Sequence, residues 1–210
     1  MRRVLIFLVS LATAVLVRGQ DHILLMNGQI IDAKVIGQST LEVRYALITG
    51  NKVKERAEPT ESVFSVTDSL GVEKVWYFQD SLFGNEFSVQ QMRHYIRGEQ
   101  DARKDKRFIL PMIGGFVTGA GLVIGFDMEI MALLIPPVYA GAMALPRVRV
   151  SSKSIERHPL MDGDNYYAYG YANAGKGKRI IRSLLSSAVG VAVGYGVNQL
   201  VIKPNRALYD

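Results

Sequence analysis

Phe108-Ile109-Leu110-Pro111-Met112-Ile113-Gly114-Gly115-Phe116-Val117-Thr118-Gly119-Ala120-Gly121-Leu122-Val123-Ile124-Gly125-Phe126 carries no charged side chain. Asp127 and Glu129 interrupt the run, residues 130–145 are again uncharged, and a third apolar run, 183–202, follows a polar stretch. A helix needs roughly 20 apolar residues to cross a bilayer, so these runs have the length of membrane segments, with an unusual share of Gly and Ala. Gly115-Phe116-Val117-Thr118-Gly119 is a GxxxG, and Gly190-Val191-Ala192-Val193-Gly194 is another. Such spacing lets helix backbones approach closely where lipid supplies no hydrophobic drive for association. Gly115, Gly119, Gly190 and Gly194 are therefore the expected helix-packing residues, pairing within the chain or between copies. A tightly packed water-soluble helical core would use the same residues.

The middle run is less regular. Pro136-Pro137 lies inside it and removes backbone donors there, which predicts a broken helix or a re-entrant piece. Basic residues bunch beside the apolar runs: Arg103, Lys104, Lys106 and Arg107 before the first, and Lys176, Lys178 and Arg179 before the third. Long basic side chains can reach headgroups there while their stems stay buried. Asp127 and Glu129 would form a polar hairpin tip, with Arg147, Arg149 and Lys153 after the second leg. In an inner membrane the positive-inside rule would hold these bases in the cytoplasm.

The start of the chain points the other way. Arg2 and Arg3, an apolar stretch over 4–17 and the small residue Gly19 read as an export signal with expected cleavage near Gly19, the rival reading being an uncleaved N-terminal anchor. Removing Arg2, Arg3 and Arg18 takes Lys+Arg from 25 to 22 against 19 Asp+Glu, about +3 in the mature chain. That mild excess asks for no nucleic-acid partner. The conflict between export and positive-inside eases if the helices lie in or against the outer membrane, or are only marginally inserted. The chain has no Cys, which excludes an acylated-Cys anchor and any disulfide framework.

Residues 21–80 read as β structure. An apolar strand over 23–26 meets Asn27-Gly28, the dipeptide of a tight hairpin, and a β-branched strand over 29–36 follows. Leu41, Val43, Tyr45 and Leu47 alternate with Thr40, Glu42, Arg44 and Ala46, the period of a half-buried strand. Residues 50–59 read as a charged loop, and 63–67 and 74–78 as two more strands. Five short strands in about 60 residues suggest a small barrel or a bent sheet closed on itself. Ser88 with Gln91 then forms a capping box, Phe87 and Met92 a hydrophobic staple, and Val89, Met92 and Ile96 one helical face. The charged stretch 99–107 reads as solvated, so this helix is a stalk toward the membrane part.

The pattern Ile23-Leu24-Leu25-Met26-Asn27-Gly28-Gln29-Ile30-Ile31-Asp32-Ala33-Lys34-Val35 resembles the opening hairpin of SH3-like and Sm-like small barrels. Together with the segment Met92-Arg93-His94-Tyr95-Ile96-Arg97-Gly98-Glu99-Gln100-Asp101-Ala102 it is also similar to a group of uncharacterised exported envelope proteins of Gram-negative bacteria. Sm-like barrels bind RNA through loop residues, but no basic aromatic loop stands at the matching place.

Chemistry-bearing motifs are sparse. His22, His94 and His158 show no ligand spacing, and neither Gly-x-Ser-x-Gly nor His-Glu-x-x-His occurs. Met161-Asp162-Gly163-Asp164-Asn165 lacks the closing Glu of a calcium loop and reads as a surface turn. Ala174-Gly175-Lys176-Gly177-Lys178-Arg179 lacks the frame of a phosphate loop. Tyr166, Tyr167, Tyr169 and Tyr171 form either an aromatic belt at a membrane edge or a packing cluster.

The expected fold is α+β: a signal peptide (1–19), a small barrel-like β domain (20–80), an amphipathic helical stalk (81–107) and a Gly-rich, membrane-associated helical region (108–210). The expected protein is not an enzyme and holds no cofactor or metal. It is exported to the cell envelope, at the outer membrane or periplasmic face in preference to the cytoplasm. There it would be a structural or adaptor protein presenting its β domain to envelope proteins. The alternative is an oligomeric, membrane-active or channel-forming protein built on Gly-zipper helices. Its partners are membrane lipid and envelope proteins or further copies of itself.

Overall fold

The computed structural model describes residues 20–50, 52–105, 108–126 and 131–206. The expected signal segment, the flanking bases Lys106 and Arg107, and the expected acidic tip at Asp127 and Glu129 lie outside the described residues. The fold is α+β, and the chain divides into two compact units, Met1–Met92 and Arg93–Asp210.

The first unit is an antiparallel sheet of β1 (Asp21–Leu25), β2 (Ile30–Gln38), β3 (Glu42–Thr49), β4 (Lys52–Pro59), β5 (Val63–Thr67) and β6 (Glu73–Val75), in the order β4-β3-β2-β1-β5-β6. The β1–β2 connection is the Asn-Gly hairpin with one difference. Gly28 alone takes a positive φ, of 78°, and its N–H donates to the Leu25 carbonyl at 2.9 Å. Asn27 contributes its side chain instead, accepting from the Gln29 N–H at 3.0 Å.

β2 bends the sheet. Ile30 to Ala33 pair with β1 and Lys34 to Gln38 with β3, with a register shift between Val35 and Gly37. Such a bulge bends its strand and sharpens the twist. The Asp21 carboxylate pins this place, accepting from the N–H of Val35 at 2.8 Å and of Ser69 at 3.0 Å. Ile23, Leu25, Ala33, Val43, Tyr45, Val63 and Val66 form one buried apolar core.

Two expectations need correcting here. The sheet is bent but open, since β4 and β6 are edges with no pairing between them among the described residues. The expected charged loop is the strand β4, paired with β3 from Glu42↔Pro59 to Thr49↔Lys52. An edge strand needs only one ladder and no buried face, so Lys-Val-Lys-Glu-Arg-Ala-Glu-Pro can be a strand without any apolar period. Its charges also block further edge pairing.

The second unit is helical: the C-terminal part of α1 (Val89–Asp105), then α2 (Ile109–Phe126), α3 (Ile135–Ala144), α4 (Ser152–Arg157), α5 (Asn165–Val197), a π-turn Asn198–Ile202 and α6 (Lys203–Arg206). The capping box is formed at the start of α1, where Ser88 N–H donates to Gln91 Oε1 at 2.8 Å and Gln91 N–H to Ser88 Oγ at 3.3 Å. Pro136 and Pro137 do not break a helix midway. A 3-10 turn, Met131–Leu134, precedes them, and they fill the first turn of α3, where a missing N–H has no partner to lose. The expected surface turn before α5 is also its cap: Gly163 has φ 76°, and Asp164 accepts from Tyr167 N–H at 2.7 Å. From there α5 runs for 33 residues, straight through the Tyr cluster and the basic stretch into the third apolar run.

The glycines order the packing. A Cβ on Gly115 would meet the Ser186 hydroxyl and the Ser183 carbonyl, one on Gly119 the Ser187 carbonyl, one on Gly190 the Phe116 carbonyl, and one on Gly194 the Ala120 carbonyl. Contacts therefore advance along both helices in the same direction, and α2 and α5 lie parallel, backbone against backbone. α3 returns alongside the pair, in contact with both helices. Its Tyr139 hydroxyl donates to the Pro111 carbonyl at 3.0 Å, and Ile135 joins Val123 and Ala132 in a small apolar cluster.

Substitution should separate contact from propensity. Gly119→Leu is expected to lower the stability of the helical unit by about 3 kcal/mol, as overpacking against a backbone does. Gly121→Ala, with nothing within 4 Å of the added carbon, should raise it by about 1 kcal/mol through helix propensity. Thermal unfolding of the detergent-solubilised chain, followed by circular dichroism, measures both.

Candidate functional site

The helical unit has two chemically different ends, both built on α5. At the N-terminal end α1, α4 and α5 share a polar network. Asp101, 1% exposed, accepts from Arg157 Nη1 at 2.6 Å and from the Tyr167 hydroxyl at 2.8 Å, with His158 Nε2 at 3.4 Å. Asp105, one turn on, accepts from the Ser151 hydroxyl at 2.8 Å, from Ser154 and from Arg157. His94 lies 2.8 Å from Asp164. Backbone approach closes this end as well: Gly98 sits against the Tyr167 carbonyl and Gly170 against that of Tyr95, at separations that leave no room for a side chain.

The charged C-terminal half of α1 is therefore not solvated as the sequence suggests, because its acids face α4 and α5. The signal was in the spacing: Asp101 and Asp105 are four residues apart and share one helix face. What sequence could not supply was the partner, since Arg157 and Ser154 are about 50 residues away.

Environment splits the acids. Burial pushes the Asp105 carboxyl up, but hydrogen bonds from Ser154 and Ser151 and the charge of Arg157 together hold it below the ordinary carboxylate range. Burial of Asp164 is likewise outweighed by the Tyr167 N–H and by His94, and its carboxyl is also held low. For Glu99, 6% exposed, burial wins over Arg103, Tyr95 and Asn173, and its carboxyl is raised. Both oxygens of Asp101 and of Asp105 are engaged within the network, so this end is a clamp between helices. Among the described residues no group of three or more His, Asp or Glu side chains could hold a metal ion.

The other end is apolar outside and small inside. Ser183 and Ser187 are fully buried at the α2–α5 contact with Gly190 and Gly194, and their hydroxyls have no hydrogen-bond partner among the described residues. The large side chains face away: Leu110 is 81% exposed, Val117 61%, Leu185 60% and Leu200 80%. In its most apolar 18-residue window, the helix Asn165–Ile202 has a mean hydropathy of 1.5 and only 22% of its residues buried.

Of the expected flanking bases, Arg103, Lys104 and Lys176 are exposed and half-buried Lys178 donates to the Arg103 carbonyl. Arg179 is turned inward, donating to the Pro146 carbonyl with its guanidinium 5.7 Å from the Phe108 ring centre. In the first unit a cleft of about 330 Å³ is lined by Thr60, Glu61, Trp76, Tyr77, Phe78 and Asn85. The Trp76 indole N–H is buried there without an acceptor among the described residues, and Phe78 stands exposed.

No protein-family model matches the chain, and no curated protein or solved structure is significantly similar to it.

The clamp predicts a signed pH response. A carboxyl held low in the fold contributes stability that is complete above its unfolded pKa, about 4, and lost as pH falls through its folded value. The melting temperature should therefore fall as pH is lowered from about 4, on account of Asp105 and Asp164, while raised Glu99 works in the opposite sense by favouring the fold on protonation. Asp101→Asn should cost about 2 kcal/mol. That is less than the 3–5 kcal/mol of a fully buried pair, because Arg157 keeps contact with water. Thermal melts across pH test both.

Proposed function

We propose that this is an exported cell-envelope protein whose helical unit is anchored in a membrane, and whose β unit is held at that membrane to meet partner proteins. The observation that carries the reading is the inside-out pattern of α2, α3 and α5, with Gly and Ser between the helices and Leu, Ile, Val and Phe outside. Water makes such a surface costly at about 25 cal/mol per Å², whereas lipid does not. Residues 183–202 are long enough to span a bilayer, and α2, at 18 residues, is about 27 Å long. The short α3 would pack as a partial leg beside them. The signal-like N-terminus and the mild positive charge beside the apolar runs support export and an anionic membrane surface.

The function proposed is structural or adaptor-like, without catalysis. The β unit is read as a partly open small barrel of the SH3-like kind. Support comes from β2, shared between two halves of the sheet, and from β5, which returns beside β1. Its cleft beside Trp76 and Phe78 is the face offered to a partner. The pore-forming alternative requires glycine faces free to pair between copies. Gly115, Gly119, Gly190 and Gly194 are already occupied within the chain, which favours an anchor.

Carbonate extraction of the envelope fraction is expected to leave the protein in the membrane pellet, and release into the soluble periplasm would overturn the anchor. Reconstituted liposomes should hold an ion gradient at the protein density at which a pore would dissipate it, and a leak would favour the channel reading.

A further inference from the structure

Lys178, Arg182, Leu185 and Val189 fall at i, i+4, i+7 and i+11, a single stripe along α5 that is cationic for its first turn and apolar afterwards. The apolar part forms one wall of a groove of about 480 Å³. The other wall is Met112, Ile113 and Phe116 of α2, and Arg182 closes its end. The matching groove on the other side of α2, between α2 and α3, has no charged residue in its lining. One cation, Arg182, thus stands at this groove and none at its neighbour.

Lys178 stands one turn before Arg182, outside the lining of the groove, with its ammonium donating to the Arg103 carbonyl. Burial first, and then the positive charges of Arg182 and Arg103, hold the Lys178 ammonium below its ordinary range. Glu99, 3.9 Å from the Arg103 guanidinium, offsets part of one of these charges, and no acid lines the groove. A ligand that satisfies both parts needs an anionic head and a hydrocarbon tail. From Arg182 to Val189 the groove follows α5 for about 10 Å, running inward from the base of the apolar segment.

We propose that this groove binds one acyl chain of an anionic phospholipid whose phosphate rests on Lys178 and Arg182, so that the anchor selects an anionic leaflet. The proposal rests on the membrane reading above and names the lipid class that the helical unit recognises. Basic residues at an anionic surface contribute about a fivefold preference each, and two of them set the expected selectivity.

Native mass spectrometry of the full chain in detergent, titrated with phosphatidylglycerol or phosphatidylcholine, reads the site directly. Phosphatidylglycerol should be retained at least about tenfold better than phosphatidylcholine. The double variant K178Q/R182Q should lose that preference, K178R/R182K should keep it, and K153Q, a basic residue away from the groove, should leave it unchanged. Leu185→Trp, which fills the groove and leaves the charges in place, should lower retention of the lipid, with helicity by circular dichroism confirming the fold of each variant. Equal retention of both lipids, or a loss in K153Q as large as in K178Q/R182Q, would overturn the site. Flotation with purely phosphatidylcholine vesicles separates the two readings: a chain that floats there without headgroup preference loses only the lipid site, whereas one that enters neither neutral nor anionic vesicles loses the anchor too.

Discussion

The approach of two helix backbones, α2 against α5, is the constraint from which the helical unit follows. Gly115, Gly119, Gly190 and Gly194 meet the facing backbone at the crossing, with Ser183 and Ser187 buried beside them, and at Gly119 and Gly190 the neighbouring atom is a carbonyl group that cannot move aside. At such a distance most large side chains leave the interface, although Val123 stays buried beside Gly194. The same contact that joins the helices therefore creates their apolar exterior. Dispersion between closely fitted backbones acts in lipid as well as in water, so this packing needs no hydrophobic drive between the helices. The buried hydroxyls of Ser183 and Ser187 follow from the same demand for small groups.

A different force closes the polar end of α5. Where α1 and α4 meet it, glycines again permit close approach, but ion pairs and hydrogen bonds from Asp101 and Asp105 choose the partner. An apolar face tolerates sliding, whereas a carboxylate that accepts from Arg157 and Tyr167 at once fixes rotation and register together. One helix thus carries a specified, polar joint and an adaptable, small-residue joint in series.

Much of this was legible in the sequence, for physical reasons that differ by region. The hairpin at Asn27-Gly28, the capping box at Ser88 and Gln91 and the two GxxxG stretches were readable because each acts over a few residues. β4 was missed because an edge strand of Lys, Glu and Arg has no buried face to impose a period. The polar start of α5 was missed because its glycines look like breakers until the backbones of Tyr95 and the side chain of Val148 are seen lying against Gly170 and Gly175. The acids of α1 looked solvated because their counter-charge comes from far along the chain. Local rules cannot supply a partner that only the fold brings near.

The unbroken course of α5 has a mechanical consequence. Its 33 residues make a rod about 50 Å long, seated at one end in salt bridges and at the other among glycines. A rod transmits tilt without loss. A lean of its apolar portion would swing the Tyr167 end against Asp101, so under the proposed anchoring a change in bilayer thickness would reach the acidic joint as strain.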